Sequence, residues 1–109
     1  MRLTVVGASG RTGVPLVEQA LAAGHEVTAF VRDRSKLPVE GDSLTVVEGD
    51  AYTGEGVDDA VAAADAVLSV LGQTDSGPDD LLTVAGQRIL DAMERHGVDR
   101  FVTLVGAGV

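Results

Sequence analysis

The stretch Gly7-Ala8-Ser9-Gly10-Arg11-Thr12-Gly13 decides the fold, because it separates two segments of different periodicity. Before it, the β-branched run over residues 2–6 predicts a strand, and after it the apolar stripe over residues 12–23 predicts a helix. Glycine at every third position lets the chain turn sharply and packs the helix tightly on the strand. Glycines also form ordinary turns, but the strand–loop–helix context favours a loop that cradles a pyrophosphate.

The chemistry of this glycine loop (residues 7–13) indicates a nucleotide ligand. Free amides at a helix N-terminus meet the negative charge of a phosphate, and the side chains of Ser9, Arg11 and Thr12 can add donors. A P-loop is excluded, because no lysine follows the last glycine. The residues predicted to bind the pyrophosphate of a dinucleotide are Gly7, Ser9, Gly10, Arg11, Thr12 and Gly13.

The rest of the chain alternates between strand and helix patterns. Strands are predicted at residues 26–31, 44–48, 66–71 and 100–105, and helices at residues 57–64 and 79–96. Because the strands are apolar on both faces, they predict a parallel sheet. We expect one α/β domain over residues 1–109, with a Rossmann-like sheet of about five strands in the order 3-2-1-4-5 and helices on both faces. A full doubly wound dinucleotide fold has six strands, so the pattern predicts a fold truncated after strand 5.

Composition excludes several classes of site and partner. The chain has no cysteine, which excludes disulfide scaffolds and iron–sulfur clusters, and its two histidines have no metal-ligand spacing. The net charge of -9 disfavours nucleic acid, whose phosphates need basic partners. No apolar run approaches the roughly 20 residues of a membrane span, and the N-terminus lacks a signal-peptide pattern. These features predict a cytoplasmic protein without a metal, nucleic-acid or membrane partner.

The acidic composition has two interpretations. Asp outnumbers Glu 11 to 6, and Lys36 is the only lysine beside seven arginines. An Asp-rich, Lys-poor surface is typical of salt-loving organisms, whereas a GC-rich genome also favours arginine over lysine. The run Asp75, Asp79 and Asp80 is interpreted as a solvated loop and helix start rather than a cation site. A halophilic origin and an ordinary acidic protein are both compatible with the sequence.

The residues after the second predicted strand indicate which dinucleotide is bound. An acidic residue here holds the ribose hydroxyls of NAD, whereas an arginine holds the extra phosphate of NADP. The sequence offers both, as Arg32-Asp33, and Arg34 adds positive charge. Asp33 has an alternative role as the N-cap of a short turn, and Arg32 could be a solvated residue at the strand end. The arginines favour NADP(H) over NAD(H), with Arg32 on the phosphate.

Two further strand ends complete the predicted site. Asp50 follows the third strand, where its carboxylate would accept a hydrogen bond from the adenine amino group or would simply form a turn. Leu71, Gly72 and Gln73 end the fourth strand, where their backbone would face the nicotinamide ribose. Ligands of such sheets bind at the carboxyl ends of the strands, and all these segments are such ends.

Several motifs together resemble the atypical short-chain dehydrogenases/reductases. They are the glycine loop, residues 24–28 leading into Val31-Arg32-Asp33, Glu48-Gly49-Asp50, Asp65-Ala66-Val67 and residues 96–102. Within that group the chain resembles the NAD(P)H-dependent flavin reductases, biliverdin-IXβ reductase and NmrA-like proteins. The resemblance implies pyrophosphate binding by the loop and 2′-phosphate binding by Arg32. It also places the adenine at Asp50 and Ala51, and the nicotinamide side at Leu71, Gly72 and Gln73.

Departures from the family pattern bear on catalysis. Flavin-reductase-like members carry a serine after the fifth strand where this sequence has Gly106, and the Tyr-x-x-x-Lys pair is missing because Gly56 lies four residues after Tyr52. The catalytic residues are therefore unassigned. The resemblance implies hydride transfer from NADPH to a flavin or similar planar acceptor. The alternatives are an NmrA-like module that senses NADP without turnover, and a truncated half-domain. Such a half-domain would form a homodimer, or aggregate, through the face left uncovered near strand 5.

Overall fold

A single sheet organises the computed structural model, which describes residues 1–10, 12–62, 64–70 and 81–103. Its strands are β1 (Arg2–Val6), β2 (Glu26–Val31), β3 (Leu44–Glu48), β4 (Ala66–Ser69) and β5 (Phe101–Thr103). Neighbouring strands all pair in parallel, in the order β3-β2-β1-β4-β5. The predicted Rossmann-like architecture and strand order are therefore confirmed.

Helices in the described part of the chain are α1 (Gly13–Ala22), α2 (Val57–Val61) and α3 (Leu81–His96). The connection from β2 to β3 contains only a short 3-10 turn, Arg34–Lys36. None of these helices combines the length and the apolar character that crossing a membrane requires.

The element boundaries differ from the prediction at α2. This helix ends at Val61, although the sequence pattern predicts helix over residues 57–64. The chain turns early because Asp65 must reach β1, where its amide donates to the Arg2 carbonyl oxygen (2.7 Å) and its carboxylate accepts from the Arg2 amide (2.8 Å). The predicted ends at residues 71, 79, 80, 104 and 105 lie outside the described residues.

Apolar side chains cover both faces of the sheet, as predicted. On one face, Val17 of α1 belongs to the same buried cluster as Val5 of β1. On the other face, Val61 of α2 and Ile89 of α3 share a cluster with Val67 of β4. All five side chains are fully buried, and each such burial contributes about 1.5–3 kcal/mol. Aliphatic packing on two faces thus holds the sheet without a large aromatic core.

The register brings the carboxyl ends of three strands to one edge of the sheet, called here the carboxyl edge. Val6 of β1 lies opposite Phe30 of β2, and Val31 of β2 lies opposite Glu48, the last residue of β3. Residues that follow these strands are therefore neighbours in space although they are distant in sequence.

Candidate functional site

The glycine loop turns over the end of β1 and is fastened to β2. Gly7 has a φ of 84°, in the left-handed region that favours glycine. Its amide donates a hydrogen bond to the Phe30 carbonyl oxygen (3.3 Å), and the Gly10 amide donates to the Gly7 carbonyl oxygen (3.1 Å). The loop therefore lies at the carboxyl edge, between the two central strands.

Gly13 marks the closest approach between the glycine loop and α1. A Cβ atom at this position would lie 2.7 Å from the Cα of Ala8 and would overlap the carbonyl oxygen of Gly7. Because both neighbours are backbone atoms, a larger residue requires the helix or the loop to move. The third glycine of the motif thus allows close helix packing, as the motif predicts.

The N-terminus of α1 is not capped by a described side chain. Thr12 occupies the N-cap position with φ of -84° and ψ of -33°, and its side chain makes no capping hydrogen bond. The first turn contains no acidic residue, and Gly10 and Thr12 are exposed. Amides at this end carry the partial positive charge of the helix dipole, so the position suits an anion.

The structure brings most of the predicted loop residues to this junction of β1 and α1. Ser9 is half-buried beside the exposed Gly10, while Gly13 is buried under the loop. Arg11 lies outside the described residues, so its predicted role stays a prediction.

Arg32 and Asp33 follow β2 and differ in their contacts. The Asp33 carboxylate accepts hydrogen bonds from the Ser35 hydroxyl (2.6 Å) and the Ser35 amide (3.0 Å), so Asp33 caps the Arg34–Lys36 turn. The bond from the Ser35 hydroxyl, followed by that from the amide, holds the pKa of Asp33 below its ordinary value. Arg32 is exposed and forms no ion pair with any residue of the described ranges. Its guanidinium is therefore available to a ligand.

Arg34 is engaged by Glu48 at the end of β3. Its Nε lies 3.5 Å from Glu48 Oε1, and its amide donates to Glu48 Oε2 (3.1 Å). Its Nη2 donates to the carbonyl oxygen of Val46 (3.3 Å). Part of the positive charge predicted for this region is thus matched by the carboxylate of Glu48, which was not among the predicted site residues.

Asp50 forms the turn that follows β3. Its Oδ1 accepts a hydrogen bond from the Tyr52 amide (2.8 Å), and its carbonyl oxygen accepts one from the Gly54 amide (2.8 Å). This turn is one of the two roles predicted for Asp50. The second carboxylate oxygen accepts no hydrogen bond from the residues that the structure describes. Ala51 is 6% exposed, and its side chain belongs to the apolar core.

An open cleft of about 430 Å³ joins the ends of β2 and β3, and is called here the carboxylate cleft. Its lining residues are Arg32, Glu48, Gly49, Asp50 and Glu55. The structure thus brings together Arg32 and Asp50, which come from different predicted strand ends. Glu48 was not among the predicted site residues. It is the last residue of β3, so the rule that ligands bind at strand ends could have found it.

Comparison with known proteins shows the family. A family model described as NAD(P)H-binding matches residues 7–109. The chain belongs to this NAD(P)H-binding family. The uncharacterized protein YwnB of Bacillus subtilis (strain 168) is 31% identical over 108 residues, which cover 99% of this chain and 48% of YwnB.

Solved structures share the fold of this NAD(P)H-binding domain. A candidate epimerase from Bacteroides thetaiotaomicron has a TM-score of 0.81 at 34% identity, covering 98% of this chain and 48% of its own. A wide-type short-chain dehydrogenase/reductase from Veillonella parvula DSM 2008, solved in complex with NADP, has a TM-score of 0.79 at 21% identity with the same coverage. The chain spans about half the length of these proteins. The resemblance to the atypical short-chain dehydrogenases/reductases is confirmed.

The predicted nicotinamide side of this NAD(P)H-binding domain lies outside the described residues. Its residues are Leu71, Gly72 and Gln73. The acidic run Asp75, Asp79 and Asp80 and the position of Gly106 also lie outside the described residues, so these interpretations stay predictions. Ser69 of β4 and Thr103 of β5 are the last described residues of their strands, and they pair in register. Ser69 is buried, with 7% of its surface exposed.

His96 contributes to a polar cluster between α2 and α3. Its Nε2 lies 3.1 Å from Oδ1 of Asp58, and the Arg95 guanidinium donates to both oxygens of the same carboxylate (3.0 and 3.1 Å). The hydrogen bond from Arg95 holds the pKa of Asp58 below its ordinary value. Within the described ranges, no group of three or more potential ligand side chains is placed to hold a metal ion. The cluster therefore joins two helices.

Proposed function

We propose that the chain binds NADP(H) at the carboxyl edge and serves hydride transfer from NADPH to a flavin or similar planar acceptor. The observation that carries the proposal is the uncapped N-terminus of α1, held against a loop that leaves no room for a side chain at Gly13. A pyrophosphate bound there would be favoured by the helix dipole and would meet the amide of Gly13, because the Val14 amide already donates to the Gly10 carbonyl oxygen (3.1 Å) and Pro15 has no N–H. The loop residues proposed to hold it are Gly7, Ser9, Gly10, Arg11, Thr12 and Gly13.

Two observations in the carboxylate cleft and beside it support NADP over NAD. The Arg32 guanidinium lines the cleft and can pair with a phosphate through two parallel hydrogen bonds. Asp33, the residue that would hold the ribose hydroxyls of NAD, uses Oδ1 for both hydrogen bonds from Ser35, and these fix its carboxylate as the cap of the Arg34–Lys36 turn. The Veillonella neighbour was solved in complex with NADP, which is consistent with this assignment.

The adenine would lie over the turn at Asp50 and Ala51. Because one oxygen of the Asp50 carboxylate holds the turn, the other can accept a hydrogen bond from the adenine amino group. Ala51 would contribute through its backbone, since its side chain is buried in the core.

The reaction itself needs the nicotinamide held against an acceptor, and the cofactor supplies the hydride. Leu71, Gly72 and Gln73 are proposed to line this side, and no catalytic side chain is assigned. The name of the Veillonella neighbour, a short-chain dehydrogenase/reductase, supports an oxidoreductase. A module that senses NADP without turnover is the second candidate, and Gly106 in place of the family serine favours it.

Two measurements test the proposed function. Titration of the chain with NADPH, followed by the nicotinamide fluorescence, is expected to show saturable binding. Oxidation of NADPH by flavin mononucleotide or a quinone is then expected to be faster with the protein than without it. Binding without acceleration would support the sensing module, and absence of binding to both NADPH and NADH would overturn the proposal.

We further propose that the face beside β5 pairs with a second copy of the chain. Val102 is 46% exposed, and β5 is the last strand in the described sheet order. An apolar side chain on an edge strand is covered when two copies associate. Analytical ultracentrifugation should find a dimer that Val102→Asp converts to a monomer, whereas a monomeric wild-type chain would contradict the proposal.

The cytoplasmic location and the halophilic origin stay predictions from composition. A halophilic chain with a net charge of -9 should gain thermal stability as KCl is added, because salt screens repulsion between carboxylates. A melting temperature that does not change with KCl would favour an ordinary acidic protein.

A further inference from the structure

Glu48 holds Arg34 at two points, the backbone and the side chain. Oε2 accepts a hydrogen bond from the Arg34 amide (3.1 Å), and Oε1 lies 3.5 Å from the Arg34 Nε. One carboxylate therefore anchors the Arg34–Lys36 turn on the end of β3 and also balances the charge of the guanidinium.

The Arg34 guanidinium does not line the carboxylate cleft. Its Nη2 donates to the carbonyl oxygen of Val46, which lies two residues before the end of β3. The cleft begins beyond that end, and its lining includes Arg32 and Glu48 but not Arg34. Of the two arginines that follow β2, only Arg32 is placed to meet a ligand in the cleft.

The net negative charge of the carboxylate cleft disfavours any phosphate group beyond the one that Arg32 can pair with. Glu48, Asp50 and Glu55 provide three carboxylates, and Arg32 is the basic residue among the lining side chains. A phosphate monoester carries a charge of about -1.5 to -2 near neutral pH. The Glu48 carboxylate competes with such a phosphate for the positive charge of Arg34.

We infer that Glu48 is a specificity-determining residue that withholds Arg34 from the 2′-phosphate of NADP and so limits the preference for NADP over NAD. The inference rests on the proposed binding of a dinucleotide in this cleft. Glu48 acts through Arg34, as a positioning residue. Because the two side chains are 48% and 61% exposed, their ion pair is weak enough for a single substitution to release the arginine.

Glu48→Gln tests the inference. The glutamine oxygen can still accept the Arg34 amide, so the turn is retained while the charge that holds the guanidinium is lost. We expect the ratio of NADPH affinity to NADH affinity to rise about threefold, the size of a weak surface ion pair. The affinity for NADH should stay constant. Glu94→Gln, which removes an exposed carboxylate from α3, is the matched control and should leave the ratio unchanged.

Glu48→Gln in an Arg34→Ala background tests whether Glu48 acts through Arg34. If Glu48 acts through Arg34, the gain from Glu48→Gln should fall to less than half of its size when Arg34 is absent. A gain of equal size in both backgrounds would overturn the inference, and so would a ratio that Glu48→Gln does not change.

A second variant keeps the inference testable if Glu48→Gln fails to fold. Arg34→Ala alone should lower NADPH affinity less than about twofold, because a withheld arginine contributes little. A loss as large as that of Arg32→Ala would overturn the inference. Failure of the wild-type chain to bind NADPH and NADH would overturn the proposed function as well, whereas binding with unchanged ratios would overturn this inference alone.

Discussion

The glycine loop and the carboxylate cleft lie at the same edge of the sheet but are built differently. In the loop, the chain is positioned by backbone atoms: Gly7 bonds to Phe30, and Gly13 contacts backbone on the opposite side of the turn. In the cleft, the chemistry belongs to exposed side chains. Arg32 forms no ion pair with a described residue, and Glu48 pairs with the exposed Arg34.

This difference separates two parts of recognition. Backbone contacts allow few substitutions, which fits the proposal that the loop binds the pyrophosphate that all dinucleotides share. Exposed ion pairs contribute about 0–1 kcal/mol and exchange partners readily. Under the proposed function, the cleft is therefore the region in which we expect a single substitution to change the choice of cofactor without changing the fold.

The largest effect on stability and cofactor affinity is expected from Gly13→Ala, which tests whether backbone contacts make the glycine loop rigid. Its Cβ would lie 2.7 Å from Ala8 Cα, so α1 or the loop must shift, at a cost of up to about 3 kcal/mol in the free energy of unfolding. Affinities for NADPH and NADH should fall together. Gly86→Ala is the control, since the added Cβ would meet no atom within 4 Å apart from the neighbouring backbone of its own helix. Unchanged stability and binding in Gly13→Ala would show that the loop is not rigid.

Arg32→Ala tests the carboxylate cleft, whose exposed side chains can be exchanged without changing the fold. We expect the affinity for NADPH to fall about tenfold, as befits the loss of a charge-assisted hydrogen bond in a solvated site. The affinity for NADH should change little, and so should the melting temperature. Arg100→Ala removes an exposed arginine that precedes β5 and serves as the control for net charge. An equal loss for both cofactors would refute the phosphate role of Arg32.

Asp50→Asn separates the two roles of this residue. Asparagine keeps one oxygen for the Tyr52 amide, so the turn and the melting temperature should be retained. Its amide nitrogen replaces the oxygen proposed to accept the adenine amino group, and affinities for NADPH and NADH should both fall about threefold. A folded variant with wild-type affinities would leave Asp50 as a turn residue only.

The smallest effect concerns the acid stability of the turn beside the cleft. The Ser35 hydroxyl lowers the pKa of Asp33 below its ordinary value of 3.8, so the folded state favours the carboxylate. Its contribution is fully present above pH 3.8 and is lost as the pH falls through the lower pKa of the folded state. Thermal melts should show a small deficit in Asp33→Ala that shrinks on acidification. A deficit independent of pH would contradict this account.

The sequence was sufficient to predict the rigid part of the molecule. Strands such as β1 and β2 are apolar on both faces, which requires a parallel sheet covered by helices. The place of Gly13 follows from the same local reasoning, because close helix packing excludes a side chain. The N-cap role of Asp33 was also predictable, since its partner Ser35 lies only two residues away.

The contacts of the cleft were harder to predict because they join exposed groups that are distant in sequence. Arg34 and Glu48 are 14 residues apart, and periodicity does not determine which of several exposed carboxylates an arginine meets. The early end of α2 has a similar origin, since it depends on the hydrogen bonds that Asp65 makes with Arg2 across the sheet.

Phe30 has a consequence for the whole site. Its carbonyl oxygen holds the Gly7 amide, and its ring lies so close to Gly49 that a Cβ there would approach within 2.8 Å. One residue at the end of β2 therefore touches both the loop and the cleft. Phe30 therefore fixes the distance between the glycine loop and the carboxylate cleft, which is the distance that the proposed dinucleotide would have to span.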